Sequence, residues 1–256
     1  MTRKIMVAGN WKANKTIAQS VDLANGIKKI AEESTSVDIL IAPQFTAIKS
    51  VADALAGSAI KIAGQNVLWE VGGAFTGEVA PFMLKDAGCK WAIIGHSERR
   101  QYFAETDETV NRRLKIAQKE GLNVIVCVGE TLDERMAGKT FEVLDRQIEG
   151  AFKDFGRHSL EPVVIAYEPV WAIGTGKTAT PEEADEAHAN IRKKIGELFG
   201  DVKAKTIRIL YGGSVNAGNA ETLFKCENID GGLVGGASLK AYDFALIIKA
   251  GVQVSG

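Results

Sequence analysis

The chain is poor in the residues that staple or interrupt a fold: among 256 residues there are only three cysteines, five prolines and three histidines. Cys89, Cys127 and Cys226 are scattered and odd in number, which fits neither a disulfide framework nor a zinc site and points to a reducing compartment. With histidines and cysteines so dispersed, metal-ligand spacing is lacking, so no metal is expected. Long apolar runs are also missing. Val124 to Val128 and Val163 to Tyr167 are far shorter than the ~18 residues that cross a bilayer, and Met1 to Lys12 holds too little apolar sequence for a signal peptide. These features predict a cytoplasmic chain with no membrane partner. Charge of one sign is absent too, since 31 basic residues face 32 acidic ones, which argues against gripping nucleic acid. Any anion that is bound must be held by local design.

What the sequence does have is a repeated alternation. Short apolar, β-branched runs recur at Ile5–Ala8, Asp38–Ala42, Ile60–Gly64, Trp91–Gly95, Asn123–Val128, Pro162–Tyr167, Ile207–Tyr211 and Gly231–Val234, the pattern of strands buried on both faces. Between them lie segments of helical period, the clearest carrying Ala184, Ala187, Ile191, Ile195 and Leu198 on one stripe. Thr180, Pro181 and Glu183 mark its start as a capping box, in which side chains satisfy amides that lack an intrahelical partner. The strand starts recur about every 32 residues, the length of one strand, turn, helix and turn. No Pro-, Gly- or Ser-rich linker divides the series, so residues 1–256 are expected to form one α/β domain, a single (β/α)8 barrel. A dinucleotide-binding sheet would want GxGxxG after the first strand, and Gly9-Asn10-Trp11-Lys12 does not fit.

Barrels of this kind carry their chemistry on the loops that follow the carboxyl ends of the strands. There the sequence places Asn10 and Lys12, then His96, Ser97 and Glu98, then Glu168, then Gly212, Gly213 and Ser214, then Gly235 and Gly236. Glu168, set between Tyr167 and Pro169 at a buried strand end, is costly to desolvate without a partner, so a reactive role outweighs a structural one. His96 precedes Ser97-Glu98-Arg99-Arg100, which reads as a helix start whose amides would keep the imidazole neutral. By contrast, His158 and His188 read as solvated surface residues. Two glycine pairs, each read as preceding a helix start, suit a phosphate site built from unobstructed amides. Residues 169–179 are too long and too rich in small residues for a tight connection and read as a hinged lid. Cys127 could lie near Glu168 or be a buried, inert thiol.

The segments AGNWKANK from Ala8, AIIGHSERR from Ala92, AYEPVWAIGTGKTAT from Ala166, YGGSV from Tyr211 and LVGGASL from Leu233 resemble the triosephosphate isomerase family, in the family's order and across nearly the whole chain. That family is itself the standard worked example of a barrel enzyme with a tuned acid and base pair and a closing lid, so those roles come with the resemblance. The resemblance implies interconversion of dihydroxyacetone phosphate and D-glyceraldehyde 3-phosphate in glycolysis and gluconeogenesis, by proton transfer through an enediolate with no metal or organic cofactor. It further implies Glu168 as the base, His96 as the group polarising the carbonyl, and Lys12, assisted by Asn10, as the charge stabiliser. Ser214, Gly235, Gly236 and the lid's Gly174 would hold the phosphate. Glu98, paired with Lys12, and Ser97 would support these groups from behind. The 65–80 loop would enter a second subunit, giving a homodimer in which Thr76 reaches the neighbour's site. The rival readings are another sugar-phosphate isomerase, an aldolase with a Schiff-base lysine on a central strand, and a non-catalytic phosphate-binding barrel.

Overall fold

The computed structural model describes residues 3–156, 162–172 and 178–255. Strands β1 (Met6–Asn10), β2 (Asp38–Ala42), β3 (Lys61–Gly64), β4 (Trp91–Ile94), β5 (Asn123–Val128), β6 (Val163–Tyr167), β7 (Arg208–Tyr211) and β8 (Gly231–Val234) close into a barrel in chain order. Every neighbouring pair is parallel, and β8 returns to β1. The expected (β/α)8 architecture is thus present.

Alternation along each strand divides the core in two. Met6, Ala8, Leu40, Ile93, Ile125, Val164 and Leu210 fill the barrel interior. Val7, Ile41, Ile94, Val126, Ile165 and Ile209 face outward into the layer covered by helices. The helix Pro181–Phe199 shows how that layer is made. Thr180 accepts from the Glu183 amide while the Glu183 side chain accepts from the Thr180 amide, and proline occupies the first turn. Its buried stripe is Ala184, Ala187, His188, Ile191, Ile195 and Phe199. Each fully buried isoleucine there contributes about 1.5–3 kcal/mol of hydrophobic stabilisation.

Several strand limits move by one residue from the sequence expectation, and one histidine changes place. β1 starts one residue later than Ile5 and runs on to Asn10, because Gly9 and Asn10 pair with Ile41 and Ala42 although neither residue favours a strand. His188, expected on the surface, is fully buried: it stands four residues after Ala184, on the same stripe. His158 lies outside the described residues.

Candidate active site

The carboxyl ends of β1, β4, β6, β7 and β8 surround a cavity of about 330 Å³ lined by Asn10, Lys12, His96, Glu168, the Gly212–Ser214 turn and the Gly235–Gly236 pair. Residues separated by more than 200 positions in the chain therefore share one mouth.

Glu168 is delivered by the end of β6, where its amide donates to the Val128 carbonyl at 2.8 Å. The backbone around it is crowded. A Cβ on Gly129 would collide with the Glu168 carbonyl oxygen, and one on Gly212 would stand 2.8 Å from Glu168 Cγ, so both positions require glycine. The carboxylate is buried yet partnered: Oε1 lies 2.9 Å from His96 Nε2, and Oε2 accepts the Ser97 amide at 2.9 Å. Burial alone would raise its pKa, but His96 beside it, the Ser97 amide and Lys12 outweigh burial and hold it below the ordinary glutamate value.

His96 caps the short helix Ser97–Tyr102, and its Nδ1 accepts the Glu98 amide at 3.2 Å. That bond occupies the Nδ1 lone pair, so the remaining ring hydrogen sits on Nε2 and faces both Glu168 and the cavity. Burial disfavours the imidazolium, while the carboxylate of Glu168 acts in the opposite direction and raises the ring's affinity for a proton. The Glu98 amide decides the ring's form in the observed geometry, because an imidazolium carries a hydrogen on Nδ1 and cannot accept there. A neutral Nε2–H donor against a carboxylate is the resulting pair.

Lys12 adopts a left-handed backbone, φ 51°, which is strained for a side chain of its length. Three bonds hold it there. Its amide donates to Asn10 Oδ1 at 3.1 Å, its carbonyl accepts from Gln65 Nε2 at 2.9 Å, and its Nζ meets Glu98 Oε1 at 2.6 Å. The expected pairing of Glu98 with Lys12 is present, and the stem of Lys12 passes over Gly235, where an added Cβ would lie 3.5 Å from Cε.

The glycine turns present open backbone, and at Gly236 an added Cβ would meet nothing within 4 Å. After β8 a single tight helical turn, Gly236–Leu239, begins at the cavity. The expectation of a helix start directly behind Gly212-Gly213 is corrected. The chain runs on to Ala220 before a helix begins, because Gly213 packs onto the Tyr211 hydroxyl and Asn219 Nδ2 holds the Ser214 carbonyl at 2.9 Å. The turn after β7 is therefore a braced turn without a helix start directly behind it.

Of the 169–179 segment, Gly174 and its neighbours Ile173 and Lys177 lie outside the described residues. Its two ends are tied: Trp171 Nε1 donates to Glu130 Oε1 at 2.9 Å, and the Ala179 amide donates to the Tyr211 hydroxyl at 3.3 Å. Cys127 is buried next to Glu168, and burial, followed by that carboxylate's charge, pushes its thiol well above the ordinary value, so it stays protonated. Thr76 lies exposed in the 65–80 loop, away from this chain's own cavity.

Gln65, Glu130 and Tyr211 do not stand out as functional in the sequence. Gln65 and Glu130 each follow a strand end, and that position is their available signal. Among the described residues no group of three or more His, Cys, Asp or Glu could hold a metal ion, and no helix is long and apolar enough to cross a membrane.

Residues 5–251 match the family described as Triosephosphate isomerase. A protein named Triosephosphate isomerase from Geobacter metallireducens is 55% identical over 247 residues, 96% of this chain and 98% of that protein. Proteins of the same name from Chloroherpeton thalassium and Citrifermentans bemidjiense are 51% and 52% identical, covering 97% and 96% of this chain and 99% and 98% of their own.

Proposed function

The chain belongs to the triosephosphate isomerase family, and from that premise we propose how its own residues carry the reaction. It is a triose-phosphate isomerase, interconverting dihydroxyacetone phosphate and D-glyceraldehyde 3-phosphate as a step of glycolysis. The observation that carries the residue assignment is the convergence of a buried carboxylate and a neutral Nε2–H donor, 2.9 Å apart, on one side of an amide-lined cavity.

In this reading the substrate phosphate lies against the Ser214, Gly235 and Gly236 amides, with Gly174 as a further donor, and the carbonyl end enters between His96 and Glu168. A Glu168 oxygen takes the proton from the carbon next to the carbonyl. The C–H electron pair becomes the carbon–carbon double bond of an enediolate, and the carbonyl π pair moves onto oxygen. His96 Nε2–H bonds to that oxygen and relays a proton between the two enediolate oxygens. Glu168 then returns its proton to the adjacent carbon, so no atom is gained or lost. Lys12 stabilises the developing charge, with Glu98 and Asn10 fixing its position. Water exclusion by the 169–179 segment belongs to the same proposal, since an enediolate phosphate in water eliminates its phosphate before reprotonation.

We place residues 1–256 in one cytoplasmic domain, supported by the three free cysteines. A homodimer through the 65–80 loop is supported by the exposed apolar side chains Val71, Phe75, Phe82 and Met83 in and beside that loop. A coupled isomerase assay on the intact chain, run with borohydride trapping and sedimentation, tests these readings together. Turnover without a trapped adduct, at twice the chain mass, is expected. A Schiff-base adduct would favour the aldolase, and phosphate binding without turnover the silent barrel.

A further inference from the structure

The fully buried imidazole of His188 has no part in the chemistry above, yet it stands directly behind the site. Its ring lies 5.7 Å from Tyr167, edge-on at 88°, and 6.4 Å from Tyr211, while the two tyrosine rings are 6.4 Å from each other. The three rings thus close a triangle between the helix Pro181–Phe199 and the ends of β6 and β7.

Tyr167 and Tyr211 are register partners, and each immediately precedes a residue of the cavity, Glu168 in one strand and Gly212 in the other. There is little slack between them. The Gly212 amide donates to the Tyr167 carbonyl at 2.6 Å, and the Tyr211 hydroxyl packs beneath Gly213. The far ends of both rings are also fixed, since the Tyr167 hydroxyl donates to Glu130 at 3.1 Å and the Tyr211 hydroxyl accepts the Ala179 amide. With the strand ends and hydroxyls tied, the body of each ring is held by what packs on its side, and for both tyrosines that is the His188 ring.

We propose that His188 is a positioning residue for the isomerisation: its ring, packed against both Tyr167 and Tyr211, fixes how the two tyrosines stand and with them the placing of the Glu168 carboxylate relative to the phosphate-facing Gly212–Ser214 turn. The inference rests on the isomerase reading and deepens it. The ring's polar character is little used. Nδ1 lies 3.3 Å from the Asn228 carbonyl, and burial, opposed by the Asn228 and Ile209 backbone, holds the ring's pKa down at about 3, so it is uncharged. A flat ring of this size is what the geometry employs. A displacement of about 1 Å between a catalytic group and its substrate costs on the order of a hundredfold in rate, so loosened packing here acts on catalysis without touching substrate.

Two variants separate the ring from its hydrogen bond. His188→Asn keeps a donor for the Asn228 carbonyl and loses the ring, whereas His188→Phe keeps a ring and loses the donor. Steady-state isomerase kinetics and melting temperature are measured for both. His188→Asn is expected to lower kcat roughly ten- to a hundredfold and to raise KM, with His188→Phe restoring kcat to within about threefold of the intact chain. A merely structural role would lower the melting temperature and leave kcat and KM of the folded protein unchanged, and that outcome overturns the proposal. So does a His188→Phe variant as impaired as His188→Asn. Should the asparagine variant fail to fold, the intact chain labelled with nitrogen-15 histidine is titrated with inorganic phosphate: saturable shifts of the His188 ring signals support the coupling, and unmoved signals overturn it. An intact chain that binds phosphate without isomerising the triose phosphate would overturn the isomerase reading instead, before any substitution is made.

Discussion

At the lower end of the barrel Asp38 is gripped by three cations, Lys4 at 3.0 Å, Lys61 at 2.6 Å and Arg208 at 2.7 Å. At the upper end Glu168 is more deeply buried, yet among the described residues its partners are an imidazole, a backbone amide and the protonated Cys127 thiol. The cation nearest in purpose, Lys12, is bonded to Glu98 rather than to Glu168. Both carboxyls are held below the ordinary value, and for both burial opposes the shift. For Asp38 the Lys61, Arg208 and Lys4 contacts outweigh it; for Glu168 His96 and the Ser97 amide do so first. A carboxylate locked by three cations is a fastener, because accepting a proton would forfeit all three contacts. One held by an imidazole that can turn to a substrate oxygen, and by a backbone amide, is able to take a proton from carbon and return it.

The contrast is broken most strongly by exchanging charge for a neutral isostere at each end. Glu168→Gln is expected to lower turnover at least a thousandfold, about 4 kcal/mol of barrier, without lowering the melting temperature, as read by the coupled assay and by calorimetry. Acid titration separates the layers next. His188 binds a proton at about 3 in the folded chain against 6.5 ordinarily, so below pH 6.5 the unfolded chain takes up a proton that the folded one refuses. Stability from this group should therefore fall as pH drops from about 6.5 towards 3, at about 1.4 kcal/mol per pH unit, in denaturant midpoints measured across that range. His188→Phe should lack that slope. Asp38→Asn leaves three cations facing a neutral amide and is expected to cost about 2 kcal/mol of stability with turnover unchanged, the reverse of the Glu168 pattern. Asp38, lowered in the folded chain, supplies stability above its unfolded pKa that is lost as acid protonates it, so its variant should unfold less steeply below pH 4. Smallest is Lys225→Ala, which removes an exposed ion pair with Glu221 and should change stability by about 0.5 kcal/mol or less.

The barrel was legible because buried parallel strands leave continuous apolar runs, and the rim residues were legible because chemistry on this architecture gathers at strand ends. Position relative to a strand found Lys12, His96 and Glu168 but gave no partner geometry. The bond from the Glu98 amide to His96 Nδ1 depends on one helical turn, and the strained φ of Lys12 depends on Asn10 and Gln65, the latter 53 residues away. His188 reads as a surface residue because histidine is polar by type, although its place four residues beyond Ala184 puts it on the buried stripe. The helix expected behind Gly212-Gly213 fails for a related reason. Glycine marks a turn equally well whether a helix or a braced loop follows, and it is Tyr211 and Asn219 that decide the matter in space.

The most direct measurement follows the isomerisation in heavy water by proton NMR, for the intact chain and for Glu168→Gln at equal concentration. Proton transfer through the carboxylate gives product with deuterium on the carbon that gains hydrogen, at a rate that collapses in the variant. Normal turnover with no carbon-bound deuterium, or exchange undiminished in Glu168→Gln, would contradict it.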